Sequence, residues 1–99
     1  MLTNKQRSYL RALANNIDAI FQVGKNGIND NLVQQVRDAL ETRELVKITV
    51  LKSASLDTRD IYDQFIKLTF AEPVQVVGNR FVLYKQSREH QQIFLNDIT

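Results

Sequence analysis

The stretch Ala19-Ile20-Phe21-Gln22-Val23-Gly24-Lys25-Asn26-Gly27-Ile28 decides how this chain folds. Five strand-forming residues end at a glycine, and a second glycine three positions on separates them from a segment of different period. Ile28, Leu32, Val33, Val36 and Leu40 recur at helical spacing, with Asn29 or Asn26 placed to cap that helix. A strand over 19–23 therefore passes through a Gly-x-x-Gly loop into a helix beginning at Ile28 or Asn29 and stopping near Arg43-Glu44.

On the N-terminal side, Thr3 followed by Gln6 forms a capping box, and Leu2 offers the outer half of a hydrophobic staple. Tyr9, Leu10, Leu13 and Ile17 fall on one helical face and Arg7 and Arg11 on the other, predicting a helix over 4–15. On the C-terminal side, 45–52 alternates as a strand, with Val46, Ile48 and Val50 facing one way and Lys47 and Thr49 the other. Ser53-Ala54-Ser55 makes a loop, and Asp57 caps a third helix whose Ile61, Phe65 and Leu68 repeat helically until Pro73 ends the pattern. Strands at 74–77 and 81–84 flank Gly78-Asn79, a tight-turn dipeptide.

The order α-β-α-β-α-β-β implies right-handed crossovers between parallel strands and a closing antiparallel hairpin. Polar residues at Gln22, Lys47, Thr49 and Gln75 alternate with apolar ones, so one sheet face is not fully buried. The expected fold is α/β: a two-layer sandwich on a four-stranded mixed sheet, its second face open or covered only by the first helix. Residues 1–86 make one domain and 87–99 a polar C-terminal tail, where Ile93 and Leu95 are too few to predict firm packing. Tyr9, Phe21, Phe65 and Phe70 sit in apolar patterns and are assigned to the core. Tyr84 belongs either to the core or its rim, or to the open side of the sheet, where its ring could stack on a base.

Composition narrows the function classes. The 99 residues are 43% hydrophobic and 24% charged, as in an ordinary globular domain. With no cysteine, a disulfide framework, a thiolate metal site and a cysteine nucleophile are excluded together. The N-terminal stretch has no signal-like apolar run and nothing approaches a membrane span, so a cytosolic, cytoplasmic protein without membrane contact is expected. The net charge of +2 is uneven: Lys5, Arg7, Arg11 and Lys25 face only Asp18 in the first 27 residues. That end suits a polyanionic partner, or is simply a solvated face.

Two glycines flanking Lys25 and Asn26 can serve a phosphate. Glycine lets a backbone approach closely, Lys25 adds a mobile cation, and the following helix contributes the positive end of its dipole. The same spacing also arises in plain turns. A P-loop or dinucleotide fold is excluded, because Ile28-Asn29 follow where those motifs need Lys-Ser/Thr or a third glycine. His90, the single histidine, lies in the polar tail. Asp57, Asp60 and Asp63 recur every three residues, but Asp57 and Asp60 fit a helix first turn better than a metal site, and no histidine or further acid cluster converges nearby. No nucleophile–base pair is visible, so an enzyme is not expected, nor a metal or cofactor.

Leu2-Thr3, Lys5-Gln6-Arg7, Tyr9-Leu10-Arg11, Leu13-Ala14 and Phe21–Ile28, with Leu45–Ile48 and the hairpin Val74–Lys85, together resemble the CRM domain. This is the chloroplast RNA splicing and ribosome maturation family, with stand-alone bacterial members of the YhbY type. The resemblance implies a fold similar to the C-terminal domain of translation initiation factor three, with the Gly-x-x-Gly loop placed as in KH domains. It further implies an RNA-binding protein, monomeric when free, that assists maturation of the large ribosomal subunit by gripping its ribosomal RNA. The RNA-contacting residues would be Gly24, Lys25, Asn26 and Gly27, with Lys5, Arg7 and Arg11 as neighbours of the loop. The alternative is an adaptor that meets the ribosome through protein alone. Two positions depart from the pattern: Asn26, where relatives often have a smaller residue, and Pro73.

Overall fold

The computed structural model describes residues 1–98. Its elements run α1 (Asn4–Ala14), β1 (Ala19–Val23), α2 (Asp30–Arg43), β2 (Leu45–Val50), a short 3-10 turn (Lys52–Ala54), α3 (Thr58–Thr69), β3 (Glu72–Val77) and β4 (Arg80–Tyr84). The expected α-β-α-β-α-β-β order holds. At the start of α1 the Thr3 side chain accepts from the Gln6 amide at 3.1 Å, while the Gln6 side chain accepts from the Thr3 amide at 2.9 Å. Such a cap contributes about 1 kcal/mol.

The sheet order is β1-β2-β4-β3. β1 and β2 are parallel neighbours joined through α2, and β4 runs antiparallel to both β2 and β3. The hairpin at Gly78-Asn79 thus folds β4 back between the two strands that flank α3. Gly78 has a φ of +60°, the conformation such a turn requires of its glycine.

One sheet face carries the main core. Val46, Ile48 and Val50 of β2 and Phe81 and Leu83 of β4 pack against Val33, Val36 and Leu40 of α2 and Ile61 and Phe65 of α3. The Phe81 ring lies 5.3 Å from that of Tyr62 and 6.0 Å from that of Phe65. On the opposite face Leu10 and Ala14 of α1 meet Leu45, Val74, Val82 and Tyr84. Ile93 and Leu95 join that smaller cluster, so the C-terminal segment helps α1 cover this end of the face. Thr99 of that segment lies outside the described residues.

Several expectations need correction. Tyr9 is 42% exposed and Phe70 is 78% exposed, so neither belongs to the core to which its apolar neighbours pointed; Leu68 is exposed to about the same degree as Tyr9. Phe70 ends α3 with a φ of +58°, which turns its ring outward. The last carbonyls of α3 are taken instead by Arg37, on Leu68 O at 2.6 Å, and by Lys85, on Thr69 O at 3.2 Å. Pro73 lies inside β3 rather than merely stopping the helix. It is tolerated there because β3 is an edge strand, where a missing N–H need break no ladder bond. Tyr84 is buried beneath α1, and that burial raises its phenol above the usual range. It offers no ring to a base.

Candidate functional site

The Gly-x-x-Gly loop closes as a turn, with the Gly27 amide donating to Gly24 O at 2.9 Å. Its two glycines differ physically. Gly27 holds a φ of +66°, where an L side chain is strained, although a Cβ there would meet no atom within 4 Å. Gly24 has no such requirement: a Cβ would meet Leu51 Cδ1 at 3.7 Å, an ordinary contact. The fold therefore favours glycine at 27, where a side chain carries a strain cost, and tolerates alanine at 24. Lys25 and Asn26 at the tip are both exposed.

The helix behind the loop starts later than expected. Asn29 is extended and caps α2 by accepting from the Leu32 amide at 2.8 Å, so the helix begins at Asp30, with Ile28 and Asn29 intervening. Asp30 places a carboxylate in the first turn. The positive helix end is thus offset from the loop and already partly answered by an acid. The loop and α2 frame a shallow concavity of about 280 Å³, with Gln22, Asn29, Asn31 and Gln35 among its walls. Its chemistry is that of carboxamides and backbone amides beside one lysine. That set suits hydrogen bonding to phosphate and sugar oxygens, with no group placed for bond-breaking chemistry.

The three N-terminal basic residues are not gathered at this loop. The loop adjoins Leu51, at the end of β2 where Val50 stands, since the Leu51 amide donates to Val23 O. The start of α1 lies at the other end, where the Met1 ammonium pairs with Glu72 at 3.0 Å and Glu72 stands beside Tyr84, the partner of Leu45. Arg7 Nε donates to Pro73 O at 3.2 Å and Arg11 to Ser8 Oγ at 2.9 Å, while Lys5 is exposed. The expectation that Lys5 and Arg7 neighbour the loop is corrected: sharing a basic stretch of sequence did not bring them to it, because β1 carries the chain along the sheet before the loop is reached, and Arg11 is not among the residues lining the hollow at the loop.

Two cations that the sequence reading did not assign to a site lie nearer. Lys47 and Arg80 flank a concavity of about 380 Å³ on the half of the second face that α1 leaves uncovered, and Gln22 lines both this hollow and the one at the loop. Lys47 was recognisable from its alternation in β2. Arg80 was not, because its position depends on β4 pairing with β2. A larger concavity of about 550 Å³ lies between α1, the start of β1 and the C-terminal segment, walled in part by Leu13, Ile17, Ile20 and Ile93. Asn16, Asp18, Arg43, Lys47 and Gln92 also line it, so it mixes apolar walls with charges of both signs.

Other polar groups serve the fold. Asp57 caps α3 by accepting from the Arg59 amide, and Asp63 pairs with Arg59 at 3.9 Å. His90 Nδ1 lies 3.5 Å from Glu41, which also accepts from Ser87 Oγ and from the Arg88 and Glu89 amides. Led by the Ser87 bond, these interactions lower the Glu41 carboxyl from 4.5 to about 2. Among the described residues no group of three or more His, Cys, Asp or Glu could hold a metal, and no helix is long and apolar enough to cross a membrane.

A family model described as the CRS1/YhbY (CRM) domain matches residues 2–85. The chain belongs to the CRM family. Among curated CRM relatives, the probable RNA-binding protein YqeI of Bacillus subtilis is 46% identical over 95 residues, covering 96% of this chain and 99% of its own. An RNA-binding protein of Haemophilus influenzae is 30% identical over 88 residues, or 89% of each chain. The same CRM architecture recurs in the solution structure of a Staphylococcus aureus protein described as a candidate RNA binder. It is 44% identical, covers 100% of this chain and 98% of its own, and superposes with a TM-score of 0.77. Mixed four-stranded sheet and three helices are thus the fold of this CRM protein.

Proposed function

We propose that this CRM domain binds RNA, gripping the backbone of structured ribosomal RNA through Gly24, Lys25, Asn26 and Gly27, and assists maturation of the large ribosomal subunit. The observation that carries the loop assignment is the tolerance at Gly24: a residue without a side chain stands at an exposed turn where the fold itself has room for one. A close-approaching backbone is the kind of partner for which that missing methyl matters. RNA as the partner is supported by CRM membership and by relatives that carry the name RNA-binding protein. The ribosomal part of the reading extends the resemblance of the chain to stand-alone bacterial family members.

In this reading Lys25 neutralises phosphate while Asn26 and the loop amides donate to phosphate and sugar oxygens. Lys5, at the start of α1 and away from the loop, touches the same RNA only if that RNA is large enough to wrap the domain; Arg7 is already engaged by Pro73 O. Affinity then falls steeply with salt, by about 0.7–0.9 in log K per log unit of salt for each phosphate neutralised.

The test is co-sedimentation with large-subunit precursors before and after ribonuclease, together with sequencing of RNA crosslinked to the protein in cells. Direct binding predicts release by nuclease and crosslinks concentrated in large-subunit ribosomal RNA. Retention after complete RNA digestion would instead identify a protein-mediated adaptor.

A further inference from the structure

We infer that the uncovered half of the second sheet face binds an unpaired stretch of the same RNA, held by Arg80 and Lys47 and read through Gln22 and Gln75. The inference rests on the RNA-binding reading above and extends it from the loop to the sheet.

The register builds the surface. Gln22 of β1 is the partner of Thr49 in β2, and Thr49 is the partner of Arg80 in β4, so three polar side chains stand in one row across adjacent strands. In the next row Lys47 is the partner of Val82, which α1 covers, and Val82 is in turn the partner of Gln75 in β3, so this row offers Lys47 and Gln75 on either side of the end of α1. The hollows along this surface are continuous. The one at the loop shares Gln22 with that of the first row, and the latter shares Lys47 and Arg80 with a third hollow that reaches Gln75 and Asn15.

Charge complementarity identifies the occupant. Arg80 makes no side-chain hydrogen bond or ion pair among the described residues, and Lys47 uses one donor on Ile17 O at 2.9 Å, retaining others of its three. Asp18 is the single acid lining these hollows, at the edge beside Ile17. Two cations among carboxamides and a threonine match phosphates alternating with base edges. No aromatic side chain lines the surface, so bases are held by hydrogen bonds rather than by stacking. Four strands at the usual spacing give a strip about 14 Å across. Bounded by the end of α1, it admits one strand whose base edges are free, whereas a duplex keeps those edges paired.

The test is an NMR titration of the isotope-labelled protein with an unpaired RNA of about ten nucleotides and, separately, with a duplex of similar length. The expected result is that amides of 24–27 and of Gln22, Lys47, Thr49 and Arg80 shift together with the unpaired RNA. Arg80→Gln, with a native spectrum, should weaken that binding about tenfold and flatten its salt slope by about 0.7, while leaving duplex binding unchanged. Gln75→Ala provides a second variant without a charge change. Shifts confined to the loop, with Arg80→Gln and Gln75→Ala binding like the parent, would overturn the sheet assignment and leave the loop standing. Binding to the duplex alone would overturn it as well. Shifts that spare both surfaces would overturn the loop reading too.

Discussion

Gly24 and Gly27 look equivalent in sequence, yet only Gly27 has a positive φ. That difference separates folding from binding. Gly27→Ala should destabilise the fold by about 1–2 kcal/mol through left-handed strain. Gly24→Ala should leave the melting temperature unchanged or slightly higher, because a methyl fits beside Leu51 and restricts the unfolded chain. Its cost should appear only in RNA affinity. Glu41 provides an independent residue-scale test. Its folded value of about 2 lies below its ordinary 4.5, so the stabilisation it gives is complete above that ordinary value and is lost as pH falls toward and below 2. Following the Glu41 carboxyl by NMR should give a midpoint near 2, with the Arg88 and Glu89 amides, which donate to it, moving in step. A midpoint at the ordinary value would mean that the C-terminal segment does not dock on this carboxylate. None of this was legible in the sequence, since Glu41 and Ser87 stand 46 residues apart and nothing local marks them as partners.

At the scale of elements, the end of α2 links the domain to its C-terminal segment. Glu44 leaves the helix with a φ of +66° and is wholly buried. Its carboxylate accepts from the amides of Ser87, at 2.8 Å, of Gln92, and of Ile93, at 2.8 Å, while its carbonyl accepts from Lys85. Three charge-assisted bonds to backbone make the segment part of the domain's second layer. Glu44→Ala should orphan those amides and release 86–98, lowering unfolding stability by about 2–3 kcal/mol. Hydrogen exchange should show Gln92 and Ile93 losing protection first; retained protection would contradict this anchoring role. The sequence showed where α2 ends, because the helical period stops there. It could not show that Glu44 turns inward, and so two apolar residues at 93 and 95 looked insufficient for packing. Phe70 failed in the opposite direction: it follows a strongly periodic helix, but the left-handed cap rotates it out of the pattern.

For the molecule as a whole, element types and their order were legible because the hydrophobic period switches cleanly between helix and strand. Alternation at Lys47, Thr49, Gln22 and Gln75 also marked the face that stays partly open. What remained hidden was long-range pairing. Insertion of β4 between β2 and β3 carries Arg80 beside Thr49, and passage of β1 along the sheet parts the loop from the start of α1. The candidate site therefore lies over the loop and the sheet, with Lys5 and Arg7 elsewhere. The measurement bearing most directly on this account is the affinity of the Lys25→Asp, Asn26→Asp double variant for ribosomal RNA. Both side chains are exposed and outside the packed clusters, so melting temperature and spectrum should match the parent. RNA binding should be lost; parental affinity in the folded variant would contradict a grip through Lys25 and Asn26.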